Sequence, residues 1–222
     1  MYETFDYDKT VGKMRRFFKD AKDFIEVPTQ SRLSILAACE DPNTIAQFNF
    51  DGIDYPLPQT GQMWLEHELL TNPDAKGFFC VSTSYRNEPN PIDGRHQKIF
   101  PMFEFETRGY MQDMIKLEEE LLEFLGFEKD SVHCTYDGLC ERYETDILEA
   151  EHEERMNKEI SSKLFLKNFP KRTHPFWNME ENPVKGIFHK VDVILHGQET
   201  IGSAERSCDK DTMKWNFLNQ TD

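Results

Sequence analysis

Arg86 and Glu88 stand two residues apart, and after a short loop come His96, Phe100, Glu104 and Glu106. In a strand, residues two apart share a face. The spacing therefore predicts Arg86 beside Glu88, and Phe100, Glu104 and Glu106 on one shared face. If the two segments pair through the loop, a cation, a ring and carboxylates converge, while Phe103 and Phe105 turn into the core. Such a set suits a nucleotide. Arginine offers a planar fork of donors to phosphate, phenylalanine offers a face to a purine, and a carboxylate can hold a metal or an amine. The same residues also read as cross-strand ion pairs on a solvated sheet face. A second group lies downstream. In Lys190–Glu199, alternation puts Val191, Val193 and Leu195 on one face and Asp192 on the other. Glu199 follows a glycine that permits close approach, and Arg206 lies further on. Two acids beside phosphates suggest a hard divalent cation, with Mg²⁺ as the default. Asp192 as a surface charge at a strand edge stays open as the other reading.

Several elements must position these groups. Val11, Met14, Phe17, Phe18, Ala21 and Phe24 recur at helical spacing, which predicts a helix over Val11–Phe24. A short strand ending at Pro28 follows. Asp41–Asn49 reads as loop, and Asp51-Gly52 as the turn of a hairpin. A helix is expected from about Thr60 to Leu70, and strands over Phe78–Tyr85 and Phe100–Arg108, with Pro89–Gly94 as the loop between them. Met111–Phe124 reads as an amphipathic helix with Met114, Leu117, Leu121, Leu122 and Leu125 inward, a Glu-rich face outward, and Gly126 as its stop. Asp137–Ile160 reads as charged helix. Leu164–Leu166, Phe188–His196 and Thr200-Ile201 read as strands. The expectation is an α+β fold, one domain over residues 1–222, with an antiparallel β-sheet flanked by helices.

The chain has 222 residues, of which 26 are Lys or Arg and 41 Asp or Glu, a net charge of −15. Such a chain repels phosphate backbones at long range, so DNA or another nucleic acid as its main partner is not expected. With 38 % apolar and 13 % aromatic residues it has enough bulk for a core. No apolar run nears the ~18 residues of a membrane span, and the first residues lack a secretory pattern. Cys39, Cys80, Cys134, Cys140 and Cys208 are odd in number and scattered without a CxxC, as in a cytoplasmic protein with reduced thiols.

Taken in order, the motifs resemble class II aminoacyl-tRNA synthetases, specifically the aspartyl/asparaginyl/lysyl subgroup. Arg86-x-Glu88, a loop, then His96-x-x-x-Phe100-x-x-x-Glu104-x-Glu106 is similar to that family's motif 2, here about residues 80–108. Arg15–Phe18 through Phe24–Thr29 is similar to motif 1, about 11–30. Leu57–Glu66 resembles the amino-acid-pocket segment. Glu151–Arg155, Leu164–Pro170 and Pro175–Met179 resemble the asparaginyl branch, and Gly197–Arg206 the stretch that closes the pocket.

The resemblance implies a class II synthetase-like catalytic fold that uses ATP and Mg²⁺. Arg86 would bind the α-phosphate and stabilise the charge growing there. Glu88 would contact adenine or the substrate amine, His96 would sit near the outer phosphates, and Phe100 would stack on adenine. Glu104 would help hold the amino group, and Gln62 would line the amino-acid pocket. Asp192 and Glu199 would hold Mg²⁺, and Arg206 would meet the substrate side chain. It also implies a homodimer built through the motif 1 region. The aspartyl branch uses a lysine where Leu65 stands, which tilts the pocket toward asparagine. No glycine-rich motif 3 ending in arginine follows Arg206 within the 222 residues, and no anticodon-binding barrel precedes Tyr2. The expectation is a stand-alone domain that adenylates a small amino acid, asparagine or aspartate, for a small-molecule or carrier acceptor ahead of tRNA. The other readings are an ammonia-dependent asparagine synthetase-like enzyme, a non-catalytic amino-acid- or nucleotide-sensing paralogue, and a truncated asparaginyl-tRNA ligase.

Overall fold

A computed structural model describes residues 3–28, 44–182 and 186–219. The expectations for Thr29, Cys39 and residues 41–43 lie outside the described residues. The chain forms two compact units, residues 1–108 and 109–222.

In the first unit, helix α1 (Thr4–Arg15) runs into a π-helical turn over Arg16–Ala21. The sequence predicts one continuous α-helix here. Phe17 and Phe18, within this turn, are both buried. Phe18 is fully buried and packs on Phe24, Phe79, Phe103 and Phe105. A three-stranded sheet, in order β1 (Ile25–Glu26), β4 (Gly77–Tyr85) and β5 (Ile99–Thr107), receives this aromatic cluster on one face. The other face carries Phe78 and Cys80, which pack with Val27 and with Leu65 of α2 (Gln62–Thr71). A separate hairpin, β2 (Gln47–Phe50) with β3 (Ile53–Pro56), turns at Asp51-Gly52 with φ of 53° and 77°. Both residues are left-handed, as a two-residue hairpin turn requires. β2 takes in part of the stretch expected as loop.

The second unit is built on the sheet β6 (Val132–Thr135), β7 (Lys163–Pro170), β8 (Ile187–Leu195) and β9 (Gln198–Ala204). Helix α3 (Met111–Leu125) packs on one face through Met111, Ile115 and Leu122 against Phe165, Val191, Val193 and Leu195. Gly126 stops it with φ 107°. Helices α4 (Tyr136–Tyr143) and α5 (Ala150–Glu159) cover the other face, where Leu139 and Met156 meet Leu164, Leu166 and Ile194. The helix expected over 137–160 is thus two. Glu144 turns left-handed at φ 55°, and Ile147 N donates to the Thr145 hydroxyl at 3.3 Å, a local bond that competes with the helical ladder. A final helix, α6 (Lys210–Asn219), closes the described chain.

The antiparallel expectation holds for β4–β5 and β7–β8–β9, but β1 pairs parallel with β4, and β6 parallel with β7. Among the described residues no helix is long and apolar enough to cross a membrane.

Candidate functional site

In the first unit the antiparallel register of β4 and β5 sets the site. Ser84 pairs with Phe100, Ser82 with Met102, Cys80 with Glu104 and Phe78 with Glu106, so these side chains share one face. Strand β4 ends at Tyr85, before Arg86 and Glu88, so strand alternation does not set their facing as the sequence predicts. Three chain segments hold the departing backbone instead. Tyr85 N donates to Pro58 O at 2.8 Å, Arg86 N to Lys98 O at 2.8 Å, and Asn87 N to Thr44 O at 2.9 Å. The Arg86 guanidinium lies 5.5 Å from the centre of the Phe100 ring, and its Nε reaches the Ser84 hydroxyl at 3.4 Å. His96 Nδ1 lies 3.1 Å from Glu88 Oε2. Arg86, Phe100, Glu88 and His96 therefore gather at the loop end of one hairpin.

Glu104 and Glu106 point to the same face but do different work. Glu104 accepts from Gly61 N at 2.8 Å, from the Ser82 hydroxyl at 2.7 Å, from the Cys80 thiol at 3.7 Å and from the Thr60 hydroxyl. It pins the turn that opens α2 to the middle of the hairpin. Gln62 donates through Nε2 to Glu106 at 3.0 Å, which fixes the amide on the same face. Behind this turn the fully buried Gln59 donates to Thr44 at 2.9 Å.

In the second unit Asp192 lies on the face of β8 opposite Val191 and Val193 and is 5 % exposed, so it is no surface charge. Across the strand pair it meets Gly202. Between Val193 and Ile194 the register shifts: Ile201 pairs with Val193 but Glu199 with Ile194, so Thr200 is an extra residue in β9. This bulge brings Glu199 onto the face of Asp192; in a regular strand it would pair with Leu195 and face the α3 side. Gly202 completes the corner. A Cβ there would stand 2.8 Å from Glu199 Oε1 and 3.6 Å from Asp192 Oδ1. Gly197, with φ 84°, turns the hairpin so tightly onto α5 that a Cβ would lie 3.2 Å from Glu154 Cα. Arg206 donates to Asn178 Oδ1 at 3.0 Å, and its backbone bridges Met179.

This donor set fits Mg²⁺. Asp192 Oδ1 is buried without a hydrogen-bond partner among the described residues, and Gly202 leaves room beside it and Glu199. Two carboxylates completed by substrate phosphates are what Mg²⁺ commonly takes from a protein.

Two residues escaped the sequence reading. Lys190 donates to Asp192 Oδ2 at 2.8 Å. Burial lowers its pKa, but Asp192 and Glu199 outweigh this and hold it above the ordinary lysine range. Burial pushes the Asp192 carboxyl up, against the pull of Lys190. Glu118, expected on the outer face of α3, is fully buried with no hydrogen-bond partner on either oxygen among the described residues. Burial drives its pKa up to about 8; the nearby Ser203 hydroxyl opposes the rise, but that hydroxyl donates to Val191 O at 3.2 Å. Both residues left a trace in the sequence. Lys190 is two before Asp192, and Met111, Ile115, Glu118 and Leu122 fall on one helical stripe.

A comparison with curated proteins finds none that matches significantly by sequence. Among solved structures, the asparaginyl-tRNA synthetase of Pyrococcus horikoshii complexed with asparaginyl-adenylate superposes with a TM-score of 0.83 at 20 % identity, over 97 % of this chain and 56 % of that one. The asparaginyl-tRNA synthetase of Entamoeba histolytica, also with asparaginyl-adenylate, gives 0.79 at 18 % identity over 94 % and 53 %. The aspartyl enzyme of Entamoeba histolytica gives 0.72 at 18 % over 96 % and 46 %. The chain thus spans about half the length of these structures and shares their fold. The sequence model for class II tRNA synthetases (D, K and N) matches residues 1–222. From that match, and from the mixed sheets flanked by helices whose antiparallel hairpins carry the two groups of acids, the chain belongs to the class II tRNA synthetase family of the D, K and N type.

Proposed function

We propose that the chain activates a small amino acid with ATP, forming an aminoacyl-adenylate and releasing pyrophosphate, with asparagine or aspartate as the substrate. The observation that carries this reading is the Arg86–Phe100 corner, where a guanidinium lies 5.5 Å from an aromatic ring at the end of the motif 2 hairpin. A phosphate cation and an adenine platform are then within the span of one nucleotide. Arg86 would hold the α-phosphate and stabilise the charge that grows on it as the amino-acid carboxylate attacks. Glu88 and His96 would meet adenine, the substrate amine or the outer phosphates. Gln62 would line the amino-acid pocket, with Glu104 holding the turn that presents it. Arg206, steadied by Asn178, would meet the substrate side chain. Asp192 and Glu199 would hold Mg²⁺, which when bound neutralises phosphate oxygens.

The net charge of −15 supports a small-molecule or carrier acceptor ahead of tRNA. Ile25, 53 % exposed within the motif 1 region, supports a homodimer through that region. The thiols at Cys80, Cys134, Cys140 and Cys208 suit a cytoplasmic setting.

The test is ATP–pyrophosphate exchange with each amino acid in turn. Exchange is expected with asparagine or aspartate, and Arg86→Ala should lower it by roughly 10²–10³-fold, as for loss of one transition-state donor. No exchange with any amino acid defeats the reading. Amino-acid binding without exchange would favour the sensing paralogue.

A further inference from the structure

Lys190 and Asp192 share a face of β8, and the Lys190 ammonium is fixed from two sides. It donates to Asp192 Oδ2 at 2.8 Å and lies 4.2 Å from the centre of the Phe169 ring. The Lys190 side chain keeps 25 % of its exposure and that of Asp192 only 7 %. The second oxygen of Asp192, Oδ1, has no hydrogen-bond partner among the described residues and points to the bare Cα of Gly202, where Glu199 Oε1 also arrives. Glu199 adds to the negative field at Lys190, while Glu153 from α5 acts on Asp192. Glu153 is held here by accepting from Glu199 N at 2.8 Å.

An ammonium and a divalent metal ask the same thing of a carboxylate, which is negative charge at contact distance. Lysine supplies this as a compact point charge with three donors. With Lys190 in place, the acid pair has lost half of the charge that would draw a cation from solution. We propose that Lys190 is a resident cation of the Asp192–Glu199 pair: it neutralises Asp192 and makes the pair a poor site for a divalent metal alone. Asp192 Oδ1 and Glu199 then hold a divalent ion only when nucleotide phosphates complete its shell. The proposal rests on the adenylation reading for the nucleotide, but the metal affinity of the pair can be measured without ATP.

The experiment is a Mn²⁺ titration followed by electron paramagnetic resonance on the full chain. Lys190→Gln keeps a donor toward Asp192 and removes the charge. We expect wild type to bind Mn²⁺ weakly, Lys190→Gln to bind it at least tenfold more tightly, and added Glu199→Gln to abolish that gain. ATP should tighten Mn²⁺ binding to wild type. In thermal denaturation, Mg²⁺ alone should leave the wild-type Tm in place and raise that of Lys190→Gln by several degrees. Equal Mn²⁺ affinity in wild type and Lys190→Gln, or no Mn²⁺ on either with or without ATP, overturns the proposal. If Lys190→Gln folds only with Mn²⁺, the metal has replaced the ammonium and the proposal stands. If it folds in neither condition, the wild-type Tm decides: a rise with Mg²⁺ alone overturns the proposal, and none sustains it. A tenfold difference in Mn²⁺ affinity in a protein without pyrophosphate exchange would keep this inference and sink the adenylation reading.

Discussion

Glu104 of the β4–β5 hairpin is saturated with donors, whereas Glu118 and Asp192 around β8 are short of them. Glu104 accepts from a backbone amide, two hydroxyls and a thiol of its own chain. Among the described residues Glu118 has no donor on either oxygen, and Asp192 has one ammonium and an unpartnered Oδ1. A buried charge that is fully hydrogen-bonded holds structure together; one that is not costs stability and keeps capacity for something else. The first hairpin uses its central acid as a strut and keeps its exposed end for Arg86, Phe100, Glu88 and His96. The second sheet buries acids without satisfying them.

The comparison can be broken most forcefully at Glu118. Its carboxyl keeps a proton up to about pH 8 in the folded chain, while in the unfolded chain it loses the proton near the ordinary glutamate value of 4.5. Between those values the unfolded state binds fewer protons, so this group makes stability fall as pH rises. Glu118→Gln should flatten that slope, with little change at pH 4 and a gain on the order of 4 kcal/mol at pH 8. Urea unfolding at the two pH values measures it, and a pH-independent difference would show that Glu118 finds donors in solution. Next in size is Glu104→Gln. The amide cannot accept on both sides, so the turn before α2 should loosen at a cost of roughly 2–4 kcal/mol. Urea unfolding at a single pH measures this loss. Smallest is Ser82→Ala, which removes one of several donors to Glu104 and should cost about 1 kcal/mol in the same assay. A loss as large as that of Glu104→Gln would mean that the network stands or falls on this one bond.

The sequence was most informative where one period ran without interruption. The strands at 78–85 and 188–196 and the helix from Met111 follow from alternation and from helical spacing, and Gly126 ends that helix as expected. The groups around Arg86 were legible as types and spacing. Their placement was not, because backbone bonds to Pro58, Lys98 and Thr44 set it, and those partners are distant in sequence. Glu118 was misplaced because a glutamate among glutamates is ordinarily solvated, and only tertiary packing reveals which one the apolar stripe takes inside. The short strand β6 and helix α6 carry too weak a pattern to separate from their surroundings. In the same way, the break between α4 and α5 depends on Glu144 turning left-handed and on the local bond to Thr145, within a run of charged residues that reads as continuous helix.

The bulge at Thr200 bears on how such a corner is found in other chains. Glu199 and Gly202 are three residues apart, yet they share a face. A strand without the extra residue would build the same corner from a glutamate and a glycine only two apart. A pattern search that fixes this interval would treat the two as unrelated, although their geometry at Asp192 would be the same. The signature to look for is a parity that the backbone can reset, not a constant gap between letters.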